Sequence, residues 1–316
     1  MAPDSEVPEG SRAKTVTLGG GRVLAGAASW SDRSLVKESG WYPRSAAKAA
    51  DRMAFYASRL PLVEMDSTYR FPPTADVCRQ WVERTPEGFT IDVRAWSLFS
   101  GQPALPTSLW PDLQDEVQPE ARDRPRLYAS HLSKAAIDEC WARFAHALSP
   151  LVEAGRIGVV LFQLPHWMKP GDTSRALLTD LRSRLPDHRL AVEVTNPRWV
   201  SDEGCEDTLS LFEHLDLTFV CVDAPQLPRV VAATSSVAMV RFYGHPDDED
   251  AWGPPRPTWH YDYRYSRDEL EGWLPAVDEL AGSADEVHLV MNNCWRDHAV
   301  ANAEELVSLL QSRWGQ

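Results

Sequence analysis

The sequence has few cysteines. Cys78, Cys140, Cys205, Cys221 and Cys294 are odd in number and widely spaced, and no Cys-x-x-Cys occurs. That pattern argues against a disulfide framework and a thiolate zinc site, and it fits free thiols in a reducing cytoplasm. Long hydrophobic runs are also missing: nothing approaches the ~20 apolar residues of a membrane span, so no membrane partner is expected. Met1 to Arg22 is polar and lacks the apolar stretch of a secretory signal. Positive charge is scarce, with 32 Lys and Arg against 46 Asp and Glu and a net charge of -14. A phosphate backbone would be repelled, so general nucleic-acid binding is not expected. Several catalytic signatures are absent too. The first apolar run ends in Ala25-Gly26-Ala27-Ala28-Ser29-Trp30 rather than Gly-x-Gly-x-x-Gly. No Walker loop, Gly-x-Ser-x-Gly elbow or His-Glu-x-x-His pair occurs, which removes motif support for dinucleotide, nucleotide, α/β-hydrolase and zinc-protease chemistry.

What is present is an ordinary globular composition, 43% hydrophobic and 25% charged over 316 residues. Polarity and the Gly19-Gly20-Gly21 run mark residues 1–20 as a flexible tail, and residues 21–316 read as one domain with no dividing linker. Eight short apolar runs follow: 23–29, 62–68, 89–95, 157–163, 188–194, 217–223, 237–243 and 287–292. Between most of them apolar residues recur at helical spacing, as in Ala47 to Leu60, Ile137 to Leu148, Leu177 to Leu181 and Leu306 to Leu310. Strands alternating with helices imply right-handed βαβ units, and eight such units are the arithmetic of an α/β fold of the (β/α)8, TIM-barrel type. A doubly wound open sheet is the competing fold. Two long βα loops interrupt the rhythm, Ser97 to Ser130 after the third strand and Pro246 to Tyr265 after the seventh. The acidic run Asp247 to Asp250 within the second reads as a solvated loop.

Strands buried on both faces should be apolar throughout, so their polar residues call for an explanation. By the period of two, Glu64, Asp66 and Thr68 share one face of the second strand, and Asp92 and Arg94 share a face of the third. Gln163 ends the fourth strand, Glu193 lies in the fifth, Asp223 ends the sixth, Arg241 and Tyr243 lie in the seventh, and Asn292-Asn293 close the eighth. In a barrel these ends converge at the C-terminal mouth, where active sites sit. Trp30 and Trp199 follow strand ends and offer flat faces to a polar ring. A buried ion network filling the upper layer of the barrel is the alternative reading of the same charges. His131, His146, His214 and His288 read as packing or surface residues.

The same stretches, in the same order, resemble the YecE-like family, known as domain of unknown function 72, from about residue 23 to 311. They include Gly26-Ala27-Ala28-Ser29-Trp30, Trp41-Tyr42-Pro43, Val63-Glu64-Met65-Asp66-Ser67-Thr68, Thr85-Pro86-Glu87-Gly88-Phe89, Leu161-Phe162-Gln163-Leu164-Pro165, Ala191-Val192-Glu193, Val222-Asp223-Ala224-Pro225, Val240-Arg241-Phe242 and Asn292-Asn293-Cys294. The resemblance implies a TIM-type barrel and brings no established reaction. The chain departs from the family pattern at Arg70, Arg94, Gln102, Thr195, Tyr243 and His245, all polar positions near the mouth, while the packing motifs are kept. That distribution fits a site re-tuned for another substrate or a barrel that has lost its original chemistry.

The residues lead us to expect acid/base chemistry of a glycosidase-like, hydrolytic kind on a small polar or anionic molecule. Glu193 is the expected acid or base, with its pKa raised by apolar neighbours, and Asp66 or Asp223 is its partner. Arg241 and Arg94 would hold an anionic group, Trp30 and Trp199 would stack, and Glu64, Gln163, Tyr243, Asn292 and Asn293 would complete the binding site. No cofactor is expected. A divalent-metal enzyme of the sugar-isomerase or phosphodiesterase type, with Glu64, Asp66, Glu193 and Asp223 as oxygen ligands, is a second reading. A barrel that binds a metabolite without turnover is a third.

Overall fold

Val, Ile, Leu and Ala in unbroken runs can bury both strand faces only in a sheet covered on both sides. The computed structural model, which describes residues 15–245 and 262–315, builds that sheet as a closed barrel. A short strand β1 (Val16–Leu18) precedes β2 (Gly21–Ala27), β3 (Leu62–Met65), β4 (Thr90–Arg94), β5 (Ile157–Gln163), β6 (Leu190–Glu193), β7 (Leu217–Asp223), β8 (Val237–Phe242) and β9 (Glu286–Met291). From β2 to β9 each strand pairs in parallel with the next, and β9 returns to β2 from Arg22↔Glu286 to Ala27↔Met291. The eight expected strands are these eight. The open-sheet alternative is not formed.

Residues 1–14, the start of the expected tail, lie outside the described residues, but its end is ordered. Val16–Leu18 forms an antiparallel hairpin with β2. The turn takes Gly19 and Gly20 to φ of 59° and 98°, which suits glycine because it lacks a Cβ. The second expected strand is also shorter than the pattern predicts. It stops at Met65, and Asp66–Tyr69 forms a 3-10 turn instead. The Thr68 hydroxyl lies 2.5 Å from both the Met65 and the Arg94 carbonyls and closes this turn. Asp66 and Thr68 therefore leave the face they would have shared with Glu64.

The helices α1 (Arg33–Glu38), α2 (Ala49–Arg59), α3 (Ala75–Glu83), α4 (Lys134–Glu153), α5 (Asp172–Arg184), α6 (Cys205–His214), α7 (Arg267–Glu271), α8 (Leu274–Ala281) and α9 (His298–Trp314) occupy the connections. Some of them begin where a short polar side chain caps them: Thr74 accepts from the Val77 N–H and Ser133 from the Ala136 N–H. Met53, Tyr56, Phe144, Leu178, Phe212 and Leu306 then pack against the outward strand residues Val63, Ile91, Phe162, Val192 and Val240. Inside the barrel, Leu24, Leu62, Val159, Leu161, Ala191, Val220, Val222, Met239 and Val290 fill a separate apolar layer.

Polar residues close that layer from both ends. Toward the strand N-termini His288 is fully buried, with Nδ1 3.0 Å from Asp92 Oδ2 and Nε2 3.2 Å from Glu286 Oε2. The Val159 N–H donates to the other Asp92 oxygen. Gly158 makes room for this group, since a Cβ there would stand 2.0 Å from Asp92 Oδ1. The loop after β4 is a chain of 3-10 turns, many opened by proline, and the bridges Ala104↔Leu127 and Val117↔Leu132 pin it. Most of the second expected long loop, with its acidic run, lies outside the described residues. No described helix is long and apolar enough to cross a membrane.

Candidate functional site

Toward the strand C-termini the inward positions change from apolar to polar. Glu64 on β3, Arg94 on β4, Gln163 on β5, Glu193 on β6 and Arg241 on β8 join in one network with Tyr243 and Asn292. Arg241 lies at its centre, fully buried. One Arg241 nitrogen, Nη2, donates to Glu64 Oε1 at 2.9 Å and lies 3.3 Å from Asn292 Oδ1. The other, Nη1, donates to Glu193 Oε2 and to the Tyr243 hydroxyl. Tyr243 donates in turn to Glu193 Oε1 at 2.7 Å, and the same oxygen accepts from Gln163 Nε2. Gln163 Oε1 accepts from Arg94, and Arg94 also donates to Asp66 and lies over the Tyr69 ring.

The two buried glutamates differ in how many donors reach them. Burial pushes the Glu193 carboxyl up, but Arg241, Gln163 and Tyr243 outweigh it and hold the group below its ordinary value. The expected rise at Glu193 is therefore reversed, because polar donors rather than the flanking apolar residues surround the carboxylate. Glu64 accepts from Arg241 alone, and its buried Oε2 has no hydrogen-bond partner among the described residues. Burial dominates there, and Arg241 and Arg94 only partly offset it, so the Glu64 carboxyl is pushed up to about 7.

Above this network opens a cavity of about 300 Å³. Of the residues named from the sequence, Asp66, Arg94, Gln163, Tyr243 and Asn292 line it, together with Ala28, Ser29, Asp32, Tyr69, Arg70 and Cys294. Asp32 escaped the strand-based reading because it belongs to the first βα loop. There its Oδ1 accepts from the Ser34 N–H at 2.7 Å and caps α1. The available signal was an N-cap aspartate just past the first strand end. Tyr69 escaped for the same reason. Its hydroxyl donates to Gln102, and Gln102 donates to the Gln163 carbonyl, so Gln102 braces the cavity wall.

The other expected residues lie elsewhere. Glu64, Glu193 and Arg241 lie in the buried network and do not line the cavity. Asp223 has the opposite strand parity to inward-facing Val220 and Val222, so it points to the outside of the barrel. It accepts there from the Tyr265 hydroxyl at 2.6 Å and lies 3.0 Å from His245 Nε2. Trp199 is 1% exposed and spends its indole N–H on the Met168 carbonyl. Trp30 packs against the outer core, and its carbonyl accepts from the Tyr42 hydroxyl. Asn293 is fully buried and donates to the Tyr263 carbonyl and to Asn302. Thr195 donates to the Leu164 carbonyl.

The four carboxylates named for a divalent metal do not converge. Glu64 and Glu193 are spent on Arg241, Asp66 on Arg94, and Asp223 on a different face. Among the described residues no group of three or more His, Cys, Asp or Glu is arranged to hold a metal ion. The donor set does not fit a metal centre.

Residues 24–316 match the family described as protein of unknown function DUF72. The chain is 26% identical over 301 residues to UPF0759 protein YunF of Bacillus subtilis, covering 91% of this chain and 94% of that protein. Among solved structures it resembles a DUF72 family protein of Enterococcus faecalis (TM-score 0.71, 23% identity, 92% of this chain and 95% of that one). It also resembles one of Thermotoga maritima (TM-score 0.70, 24% identity, 92% and 99%).

Proposed function

The chain belongs to the DUF72 family, and from that premise we propose that it is an enzyme performing acid/base chemistry on a small polar or anionic molecule at the barrel mouth. The observation that carries this reading is the Asp66–Arg94 pair. It joins a partly exposed carboxylate on the cavity to a guanidinium braced from below by Gln163 and from the side by the Tyr69 ring. Asp66 is the proton-transferring group in this reading. Arg94, Gln163, Tyr243 and Asn292 orient the substrate, and Asp32 supplies the second carboxylate that a hydrolytic, glycosidase-like cleavage needs. The Glu64–Arg241–Glu193 network below acts through Gln163 and Tyr243, holding both side chains in place. The five unpaired cysteines support a reducing, cytoplasmic setting.

The test is a screen of small sugars, glycosides, hydroxy acids and their phosphate esters with the full chain, with products read by mass spectrometry. Asp66→Asn should abolish turnover of any substrate found, and Asp66→Glu should restore part of it. A ligand that raises the Tm of the wild type and of Asp66→Asn alike, with no product formed by either, would overturn catalysis in favour of plain binding.

A further inference from the structure

A second cavity, of about 400 Å³, adjoins the first and shares Tyr69 and Arg70 with it. Its remaining lining is Ser97, Pro103, Leu105 and Arg126, so both of its charged residues are cationic. Neither Arg70 nor Arg126 forms an ion pair among the described residues. Other arginines of this region do have partners: Arg94 is held by Asp66, and Arg143 by Asp112 and Glu139. In a chain of net charge -14, two arginines that line one hollow with no ion pair among the described residues are a local reversal of sign.

Both arginines are anchored at the backbone. Arg70 directly follows the 3-10 turn that carries Asp66, and its N–H donates to the Ser67 carbonyl. Arg126 precedes Leu127, which exchanges two backbone hydrogen bonds with Ala104 at 2.8 and 2.9 Å, beside Pro103 and Leu105. Ser97 is buried, 3% exposed. Two guanidinium forks match a doubly charged oxyanion, whereas a carboxylate would leave one of them uncompensated.

We propose that this second cavity is a phosphate subsite, and that the substrate is a small phosphate monoester. Its phosphate lies between Arg70 and Arg126, and its polar end passes Tyr69 into the Asp66 cavity. The proposal deepens the catalytic reading and rests on it for the reacting end of the substrate alone.

The experiment is a titration of the full chain with inorganic phosphate, followed by calorimetry and by phosphorus NMR line width, at constant ionic strength set with chloride. We expect saturable binding that weakens about tenfold or more in Arg70→Ala and in Arg126→Ala, since each removes charge-assisted hydrogen bonds to the anion. Both side chains are solvent-exposed, so the variants should fold. Asp66→Asn should bind phosphate no more weakly than wild type. No saturable binding, or equal binding by the Arg70→Ala/Arg126→Ala double variant, overturns the subsite. Acetate that binds as tightly as phosphate overturns the assignment to phosphate. If phosphate binding depends on both arginines while Asp66→Asn still turns over, the acid/base reading fails and the subsite stands. If phosphate does not bind while Asp66→Asn loses turnover, the subsite alone falls.

Discussion

His288 allows the most direct test of the barrel's internal electrostatics. Both of its ring nitrogens face carboxylates, Asp92 and Glu286, and it is fully buried. A neutral imidazole has one N–H and could satisfy only one of them, so this geometry requires the imidazolium. Burial by itself would lower the histidine pKa, but Asp92 and Glu286 raise it from 6.5 to about 9. At 1.36 kcal/mol per pKa unit that rise corresponds to about 3 kcal/mol of folding stability. Because the folded-state pKa is raised, the contribution is fully present below about pH 6.5 and lost as pH climbs through about 9. His288→Gln removes the charge but keeps a donor of similar size. Urea unfolding followed by circular dichroism should therefore show a wild-type advantage of about 3 kcal/mol near pH 6 that shrinks to under about 1 kcal/mol by pH 10. Comparing the two proteins at each pH cancels the titration of other groups. A difference of the same size at both pH values would refute the imidazolium argument.

Three further outcomes follow from the same interior. Arg241→Met should cost about 3–5 kcal/mol in urea unfolding, because two buried carboxylates would lose the one cation that pairs with both, and adding Glu193→Gln should recover part of the loss. Glu64, with its carboxyl raised to about 7, favours the fold below its ordinary carboxyl range, and that advantage is lost as pH rises through about 7. Between roughly pH 5 and 8 the wild type should lose stability relative to Glu64→Gln, and parallel curves would contradict the raised carboxyl. Gly158→Ala should lower stability by about 1–3 kcal/mol, since the new Cβ must displace the Asp92 carboxylate from His288; an unchanged midpoint in the same assay would mean that the barrel floor has room to spare.

Part of the site was legible because strand alternation is a local property. Arg94, Gln163, Tyr243 and Asn292 sit at or just past strand ends in apolar surroundings, and the closed barrel brings them to one cavity. Depth was not legible. Glu193 and Arg241 read either as groups of an open site or as part of a buried ion network, and the structure forms the network, with three side-chain donors sealing Glu193 beneath the cavity. A period of two says which residues share a face, but it does not say how far up the barrel each loop closes over them.

By itself the sequence determined the order of eight strands, the helices between them and the barrel they close, because apolar runs buried on two faces have few other arrangements open to them. Only the tertiary structure decided which polar groups meet. Asp223 turned outward because barrel closure put Val220 and Val222, of the opposite parity, on the inside, a choice that a strand apolar on both faces leaves open. Asp66 reached the cavity from a 3-10 turn rather than from the strand face expected for it. Asp32 and Arg126 came from loops whose paths depend on contacts far along the chain, the cap of α1 and the Ala104–Leu127 bridge. Patterning acts over a few residues, whereas the site is assembled from strands and loops tens to hundreds of residues apart, and their placement depends on packing rather than on spacing.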